Sequence, residues 1–151
     1  MQVDRAKELK SAKTARARRS LSAPAEYLLE HDLLAGRILD FGCGRGDLVK
    51  FLDGDIEQYD PNWSPKKPRG KFDVVVCIYV LNVLGVLERG PAFADAMSYV
   101  RRGGKLYIAV RRDIKYEGER RHGTEQYDVK LNLPSLMKRS GNFEIYEWSN
   151  S

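Results

Sequence analysis

The sequence predicts an α/β fold, and three observations support that prediction. A short apolar stretch at residues 37–41 has the length and composition of a buried strand. It runs into three glycines at alternate positions and then into a segment of helical periodicity. A second strand at residues 55–60 ends in an acid, and a β-branched run at residues 72–80 is typical of a strand buried on both faces. Strand, glycine turn and helix in this order indicate a compact, Rossmann-like sheet whose helix N-terminus can meet a ligand.

The charge of the chain is concentrated at its N-terminus. Residues 1–20 contain seven bases and two acids, which accounts for the whole net charge of +5. We therefore predict a basic arm over residues 1–20 and a single domain over residues 21–151. A basic arm can attract nucleic acid by neutralising phosphates, although a solvated extension would have the same composition.

The composition argues against several classes of protein. No run of eighteen apolar residues occurs and the N-terminus has no apolar signal core, so we expect neither a membrane span nor secretion. Cys43 and Cys77 show no metal-ligand spacing, and a disulfide framework is implausible for two such distant cysteines. We expect a cytoplasmic protein without a metal centre.

A helix should precede the first strand. Ser22 and Pro24 favour a helix start and Gly36 favours a helix end, so we predict a helix between them. His31 lies in this segment, where packing or capping is a more ordinary role for a histidine than binding a ligand.

The glycine turn differs from the dinucleotide-binding pattern. Gly42 and Gly44 fit that pattern, but its sixth position holds Asp47 and the third glycine is Gly46. An acid, Asp40, stands near the end of the strand that precedes the turn. A carboxylate in this place favours a ligand with positive charges and would repel a pyrophosphate.

The second strand ends in Asp60, twenty residues after Asp40. A Rossmann-like sheet presents a carboxylate to a ribose diol at this separation, through charge-assisted hydrogen bonds. The alternative is a surface turn, because Pro61 follows directly. Residues 61–71 then form a proline- and lysine-rich loop, so the helix–strand unit expected after the second strand is missing or shortened.

The third strand ends at polar side chains. Tyr79 and Asn82 should lie at the ligand-binding edge of the sheet, because ligands sit beyond the C-terminal ends of such strands. A helix is predicted over residues 85–99, closed by the bases and glycines of residues 101–104. Another buried strand is predicted over residues 105–110.

Together these motifs resemble those of class I methyltransferases, which bind S-adenosylmethionine, over most of residues 22–110. The resemblance implies methyltransferase activity with S-adenosylmethionine as cofactor. Trp63 would be either a lid over the adenine or a loop anchor. The missing helix–strand unit departs from the family pattern and leaves one wall of the adenine pocket absent or improvised. The cofactor-binding positions that the resemblance implies are Asp40, Phe41, Gly42, Cys43, Gly44, Gly46, Asp60, Pro61, Trp63, Ile78 and Tyr79.

A narrower resemblance covers five short segments spread over most of the chain. They look like a bacterial family of methyltransferase-like proteins associated with DNA phosphorothioation, although that family usually has phenylalanine where this chain has Glu125. The segments are residues 20–24, 41–47, 59–61, 79–83 and 123–127. This resemblance implies an S-adenosylmethionine enzyme and hints at DNA as the acceptor.

The candidate catalytic residues are His122, Asn82 and Tyr79. His122 could act as a general base, because the pKa of histidine is naturally close to neutrality. Residues 111–122, Arg111 to His122, form a basic segment that either binds an acceptor such as DNA or RNA or is a solvated loop. Further along the chain, we predict a short helix over residues 131–140 and a half-exposed edge strand over residues 143–148.

The sequence therefore favours a methyltransferase that transfers the methyl group of S-adenosylmethionine to an unidentified acceptor, with nucleic acid as one candidate. The alternative is a non-catalytic module that binds S-adenosylmethionine and regulates or completes a partner protein. A protein that only binds nucleic acid is a third option, and it predicts salt-sensitive DNA binding through residues 1–20.

Overall fold

The computed structural model describes residues 20–43, 46–115, 117–119, 125–139 and 142–151. Three of the sequence predictions lie outside the described residues: those on Gly44, on His122 and on all but the last residue of the arm at residues 1–20. In the part of the chain that the structure describes, no helix is both long and apolar enough to cross a membrane.

Helices and strands alternate along the first part of the described chain, and strands follow. The α-helices are α1 (Ala23–Glu30), α2 (Asp47–Phe51) and α3 (Val86–Ser98), and a 3₁₀ turn covers Leu81–Val83. The strands are β1 (Ile38–Phe41), β2 (Ile56–Tyr59), β3 (Phe72–Ile78), β4 (Val100–Arg111), β5 (Gly118–Glu119), β6 (Glu125–Gln126), β7 (Ser135–Arg139) and β8 (Phe143–Ser149).

Six of these strands form one sheet in the order β2-β1-β3-β4-β8-β7. The neighbours among β1 to β4 are parallel, whereas β8 runs antiparallel to both β4 and β7. The predicted Rossmann-like α/β fold is therefore confirmed. The topology also creates a crevice, because the chain leaves β1 for β2 on one side and later reaches β3 on the other.

The side chains of the central strands alternate between two hydrophobic clusters. On one face of the sheet, Leu39, Phe41 and Val75 pack with Ala96 of α3. On the other face, Ile38, Val74 and Val76 pack with Ala25 and Leu28 of α1 and Leu48 of α2. Both faces of β3 are therefore covered, as its continuous apolar run predicts.

The helix before β1 begins where predicted but ends earlier. The Ser22 hydroxyl accepts a hydrogen bond from the Ala25 N–H at 3.4 Å, and Pro24 fits the first turn. The helix stops at Glu30, where His31 stacks on Tyr27 at 4.0 Å and its Nδ1 lies 2.8 Å from the Tyr27 carbonyl oxygen. The predicted packing or capping role of His31 is confirmed.

The connection from β2 to β3 contains neither a helix nor a paired strand of its own. Residues 61–71 form a loop that is held to the end of β2 by an isolated bridge between Asp60 and Ser64. The prediction that the helix–strand unit is missing is confirmed. Its absence leaves β2 as the outer strand of the sheet.

The sequence predicted that the bases and glycines at residues 101–104 close α3, and this prediction is wrong. The helix ends at Ser98 with Tyr99 as its cap, and β4 begins at Val100. The pairing register of β3 and β4 jumps from Phe72↔Val100 to Val74↔Lys105, so residues 101–104 form a bulge within β4. A Cβ on Gly104 would lie 2.8 Å from the Asp73 carbonyl oxygen, which explains the glycine.

Two predictions for the C-terminal part of the chain are wrong. The segment predicted as a helix over residues 131–140 contains β7, which pairs with β8 from Ser135↔Tyr146 to Arg139↔Phe143. The strand predicted at a sheet edge is β8, which lies between β4 and β7 and is buried over Phe143–Tyr146. Both segments are strands because they hydrogen-bond to neighbouring strands. Such pairing cannot be predicted from the local sequence pattern of one segment.

Candidate functional site

A cavity of about 520 Å³ opens at the C-terminal ends of β1, β2 and β3. This is the crevice of the topological switch between β1 and β3, and its volume lies in the range of small-molecule sites. Most of its lining is apolar. The lining residues are Phe41, Gly42, Tyr59, Asp60, Pro61, Asn62, Tyr79, Val80, Val83, Leu84, Pro91, Ala92 and Asp95.

Asp60 lies on the cavity wall and also holds the turn that follows β2. Its Oδ1 accepts hydrogen bonds from the backbone N–H groups of Asn62, at 2.8 Å, and Trp63, at 3.2 Å. The turn that the sequence offered as an alternative to a ribose site therefore exists. The same turn fixes the carboxylate at the cavity, so the two interpretations are compatible.

Asp40 and Asp60 approach the glycine turn from neighbouring strands. Asp40 is 6% exposed and does not line the cavity. The pKa of the Cys43 thiol is raised to about 12, mainly by burial and in part by the negative charges of Asp40 and Asp60. The turn therefore lies in a negative electrostatic potential, which favours a cationic ligand group.

Two glycines of the turn adopt backbone conformations that other residues rarely adopt. Gly42 has φ +75°, and a Cβ there would lie 2.4 Å from Val80 Cγ2. Gly46 has φ +78°, and a Cβ there would lie 2.4 Å from Gln58 Oε1. The turn is thus packed against β2 and against the residues that follow β3.

Tyr79 follows β3 with an unusual backbone conformation. Its φ is +59°, which is strained for a bulky side chain, while its N–H donates a hydrogen bond to the Ala109 carbonyl oxygen at 2.9 Å. Tyr79 lines the cavity, as predicted for a ligand-contacting residue. Ile78, one residue earlier, packs with the cluster on the α1 side of the sheet and does not line the cavity.

Asn82 lies behind the cavity wall. It is 1% exposed, its Nδ2 donates to Gln126 Oε1 at 3.0 Å, and its carbonyl oxygen accepts from the Tyr127 N–H at 2.7 Å. Its Oδ1 is buried without a hydrogen-bond partner among the described residues. These contacts tie β6 to the 3₁₀ turn, so the structure gives Asn82 a structural position rather than a place against a ligand.

Of the predicted cofactor positions, five line the cavity and five others that the structure describes do not. Phe41, Gly42, Asp60, Pro61 and Tyr79 line it. Trp63 is half-buried in the loop and donates its backbone N–H to Asp60, which agrees with the loop-anchor interpretation. The positions that do not line the cavity are Asp40, Cys43, Gly46, Trp63 and Ile78.

Sequence reasoning missed the contribution of α3. Pro91, Ala92 and Asp95 form one stripe of this helix and face the cavity, because residues three and four apart share a helix face. A signal was present, since Asp95 interrupts an otherwise apolar face that includes Ala92 and Ala96. Only the three-dimensional arrangement shows that this face meets the ends of β1 and β2.

Comparison with known proteins now decides the family. The sequence family described as "methyltransferase domain" matches residues 13–141. The chain belongs to this family. The broader of the two resemblances read from the sequence is therefore confirmed, whereas the narrower one, to proteins associated with DNA phosphorothioation, stays a prediction.

Solved structures share the fold of this methyltransferase domain at low sequence identity. The PH0226 protein of Pyrococcus horikoshii is 12% identical, with 84% of this chain and 87% of that one covered and a TM-score of 0.57. The N-methyltransferase NodS of Bradyrhizobium japonicum, in complex with S-adenosylhomocysteine, is 15% identical, with 84% of each chain covered and a TM-score of 0.52.

A third structure covers more of the methyltransferase domain. It is the 1,6-didemethyltoxoflavin-N1-methyltransferase of Burkholderia thailandensis with bound 1,6-didemethyltoxoflavin and S-adenosylhomocysteine. It is 14% identical, with 97% of this chain and 87% of that one covered and a TM-score of 0.64. None of the curated proteins matches the sequence significantly.

One base of the segment predicted to bind an acceptor is turned into the methyltransferase domain. The Arg112 side chain is 6% exposed and pairs with Glu144 at 2.7 Å and with Asp128 at 2.8 Å. Arg111 is exposed at the end of β4 and its Nε donates to Asp113 at 2.8 Å. Arg112 is therefore a structural residue, and acceptor binding stays a prediction for the other residues of the segment only.

Proposed function

We propose that this methyltransferase domain binds S-adenosylmethionine in the cavity at the ends of β1, β2 and β3. The observation that supports this most is the charge of the lining. Among the described lining residues the acidic residues are Asp60 and Asp95, and no lysine, arginine or histidine is present. An apolar cavity with carboxylates is complementary to a ligand that joins an uncharged heterocycle to a sulfonium and an ammonium group.

The residues present fit this cofactor. The volume of about 520 Å³ is sufficient for a nucleoside carrying an amino acid. Asp60 would accept hydrogen bonds from the ribose hydroxyls, and Gly42 would let the ligand approach the backbone because it has no Cβ. The negative potential of Asp40 and Asp60 at Cys43 would hold the methionyl end.

The chemistry then depends mainly on position. Bound S-adenosylmethionine supplies a methyl group already activated by its sulfonium. The domain has to hold an acceptor in line with that group, which can contribute about 7–11 kcal/mol to the barrier reduction. Tyr59 and Tyr79 both line the cavity, and each has a phenolic oxygen that could hydrogen-bond an acceptor.

The charge of the lining also bears on the acceptor. A neutral or cationic acceptor such as an amine would enter a cavity lined by Asp60 and Asp95 at lower electrostatic cost than a polyanion. DNA stays a candidate because of the basic arm and the narrower sequence resemblance. We therefore propose an amine as the first acceptor class to test and nucleic acid as the second.

A non-catalytic role is the second candidate function. It is favoured by the position of Asn82, which is buried and bonded to Gln126 rather than facing the cavity. Among the described lining residues there is no histidine, the side chain most often used as a general base. A module that binds S-adenosylmethionine and completes a partner protein would have such a site.

Calorimetry and a transfer assay separate these functions. We expect the full chain to bind S-adenosylmethionine and S-adenosylhomocysteine, and radiolabelled methyl groups to appear on small amines in preference to DNA or RNA. Binding without transfer to any of these acceptors supports the non-catalytic module. Absence of binding to both nucleosides at millimolar concentration would contradict either function.

A further inference from the structure

Three exposed apolar side chains lie close together next to the cavity. In the part of the chain that the structure describes, five large hydrophobic side chains are exposed, and three of them are close in sequence. Val83, which ends the 3₁₀ turn, is 41% exposed, while Val86 and Leu87 in the first turn of α3 are 75% and 90% exposed. We call these three residues the apolar rim. The other two, Leu29 and Phe51, stand singly on α1 and α2, as exposed apolar residues ordinarily do.

The apolar rim is continuous with the lining of the cavity. Val83 and its neighbour Leu84 line the cavity, and so does Pro91 of α3. Leu87 precedes Pro91 by one helical turn, so their side chains share one face of the helix. Asp95 lies one further turn along that face, about 12 Å from Leu87 along the helix axis, and its side chain is exposed at the cavity. An apolar surface thus runs from solvent to a cavity that contains a carboxylate.

Folding does not explain the two most exposed members of the rim. Side chains that are 75% and 90% exposed in the folded protein remove little apolar area from water when the chain folds. The helix packs on the sheet through other side chains, Ala96 and Phe93 among them. Val86 and Leu87 are therefore more simply explained by a molecule that binds them than by the stability of α3.

A small molecule fits the apolar rim better than a protein partner does. A stable protein interface buries about 800 Å² on each partner, supplied by about 20–30 residues. The rim has three side chains, and the charged residues Glu88 and Arg89 follow it directly. Such a surface is sufficient for an alkyl chain or a ring, and its continuity with the cavity leads that group to the site of methyl transfer.

We propose that the methyl acceptor is an amine that carries an apolar chain or ring, and that the apolar rim binds this apolar part. This inference rests on the proposed function. The acids of the lining, Asp60 and Asp95, favour the positive charge of the amine, whereas the rim favours its apolar part. The bound ammonium first releases a proton to solvent. Its nitrogen lone pair then forms the bond to the methyl carbon while the carbon–sulfur bond breaks and leaves its electron pair on sulfur.

A series of linear primary amines tests this proposal by calorimetry on the full chain saturated with S-adenosylhomocysteine. We expect the affinity to rise about two- to fourfold for each CH₂ group added from propylamine to octylamine, because each group moves from water onto the rim. The double substitution Val86→Ser and Leu87→Ser should remove most of this rise and leave the affinities for propylamine and S-adenosylhomocysteine unchanged. Both side chains are exposed, so the double variant should fold as the wild type does.

Alcohols of the same chain lengths test the charge of the acceptor. Octanol should gain affinity with chain length as octylamine does. It should bind about tenfold more weakly than octylamine or worse, because it has no positive charge for Asp60 and Asp95 to attract.

The matched control is Leu29→Ser. It removes an exposed apolar side chain from α1, which packs on the other face of the sheet and does not line the cavity. The rise of affinity with amine chain length should be the same in this variant as in the wild type.

An affinity that does not rise with chain length, or a rise that survives the double substitution, would overturn the proposal and leave the proposed function intact. So would alcohols that bind as tightly as the amines, or bound octylamine that receives no labelled methyl group from S-adenosylmethionine. A wild-type dimer that the double substitution converts into a monomer would assign the rim to a second copy of the chain instead. Failure of the wild-type chain to bind S-adenosylhomocysteine would overturn the proposed function itself.

Discussion

At the scale of single residues, the site is defined by carboxylates whose positions are fixed by backbone contacts. Asp60 is held by the N–H groups of Asn62 and Trp63, and Asp40 is buried at the end of β1. Asp40 is buried and Asp60 is half-buried. Burying a carboxylate is unfavourable unless it is compensated, so the buried Asp40 beside Asp60 at one turn indicates a function that needs negative potential. The consequences can be measured at Asp60 and at Cys43.

Substitution of Asp60 by asparagine should distinguish the role of this residue in binding the ligand from its role in holding the turn. Asparagine keeps an oxygen that can accept the N–H groups of Asn62 and Trp63 but loses the charge. We expect Asp60→Asn to weaken binding of S-adenosylhomocysteine by about tenfold or more, with an unchanged thermal unfolding midpoint. Asp60→Ala should also lower the midpoint, because it removes the turn acceptor. An Asp60→Asn variant that binds as tightly as wild type would contradict the assigned ribose contact.

The Cys43 thiol should be unreactive at neutral pH. Its pKa is raised to about 12, mainly by burial, so only about one thiol in 10⁴ is ionised at pH 8. Alkylation of Cys43 by iodoacetamide, followed by peptide mass spectrometry, should accelerate about tenfold per pH unit above that pH. Asp60→Asn removes a charge that raises this pKa and should accelerate the reaction. Cys77 is fully buried and serves as the internal control that stays unmodified in the folded protein.

At the scale of secondary-structure elements, the site is built from the ends of strands whose backbones turn sharply. Gly42 after β1 has φ +75° and Tyr79 after β3 has φ +59°. The two turns are in contact, because the missing Cβ of Gly42 leaves the space that a methyl group of Val80 fills. The crevice therefore depends on the close fit of two turns as well as on the order of the strands.

Substitution of Gly42 by alanine tests this fit. The positive φ and the overlap with Val80 Cγ2 should together lower the free energy of unfolding by about 1–3 kcal/mol. Adding Val80→Ala removes the overlapping methyl group, so the double variant should lose less than the sum of the two single variants in a urea unfolding cycle.

Gly90 provides the matched control for that cycle. It lies inside α3, a Cβ there would meet nothing within 4 Å, and its φ is not positive. Gly90→Ala should therefore change the free energy of unfolding by less than about 1 kcal/mol, because the better helix propensity of alanine is opposed by its crowding against Pro91, which follows directly. Strictly additive effects of Gly42→Ala and Val80→Ala would show that the two turns are not in contact.

At the scale of the whole molecule, the antiparallel end of the sheet is joined to the parallel part by a buried charge cluster. Arg112, directly after β4, pairs with Glu144 of β8 and with Asp128 and donates to the Tyr146 hydroxyl oxygen at 2.7 Å. The same guanidinium donates to the Val129 carbonyl oxygen at 2.7 Å. The cluster thereby fixes the segment before β7 against the sheet.

Removing Arg112 alone should be far more harmful than removing the pair. Arg112→Met leaves Glu144 buried without its partner and should lower the free energy of unfolding by about 3–5 kcal/mol, measured by urea denaturation. A double variant that also carries Glu144→Leu removes both charges and should recover much of that loss. If the double variant is less stable than Arg112→Met, the pair contributes packing that the charges do not explain.

The same cluster should make the free energy of unfolding depend on pH. Burial alone would raise the pKa of Glu144, but hydrogen bonds from Ser135, Arg112 and Tyr146 together hold that pKa below its ordinary value. The folded state therefore favours the ionised carboxylate, so this contribution is complete above the unfolded pKa of about 4.3. It is lost as the pH falls from there through the lower folded pKa.

A comparison of wild type with Glu144→Gln measures this dependence. The difference in free energy of unfolding should be largest near neutral pH and should shrink as the pH falls below about 4. A difference that is the same at neutral and at acid pH would mean that the pKa of Glu144 is the same in the folded and in the unfolded protein.

The parallel half of the domain was largely predictable from the sequence because its signals are local. Each of these signals is contained in a stretch of about a dozen residues or fewer. They are the glycine turn, the acid at the end of β2, the apolar run of β3 and the short loop at residues 61–71. Such stretches encode periodicity, turn chemistry and chain length, and these properties determine β1 to β3, the missing helix–strand unit and the position of Asp60.

Contacts between distant parts of the chain decided the rest. Four features of the structure each join segments that are separate in the sequence. They are the pairing of β7 with β8, the ion pair of Arg112 with Glu144, the hydrogen bond of Asn82 to Gln126 and the position of Asp95 at the cavity. The free energy of each contact depends on a partner that the local sequence does not contain. The sequence by itself therefore determined which carboxylate ends β2, and only the tertiary structure decided which helix faces it across the cavity.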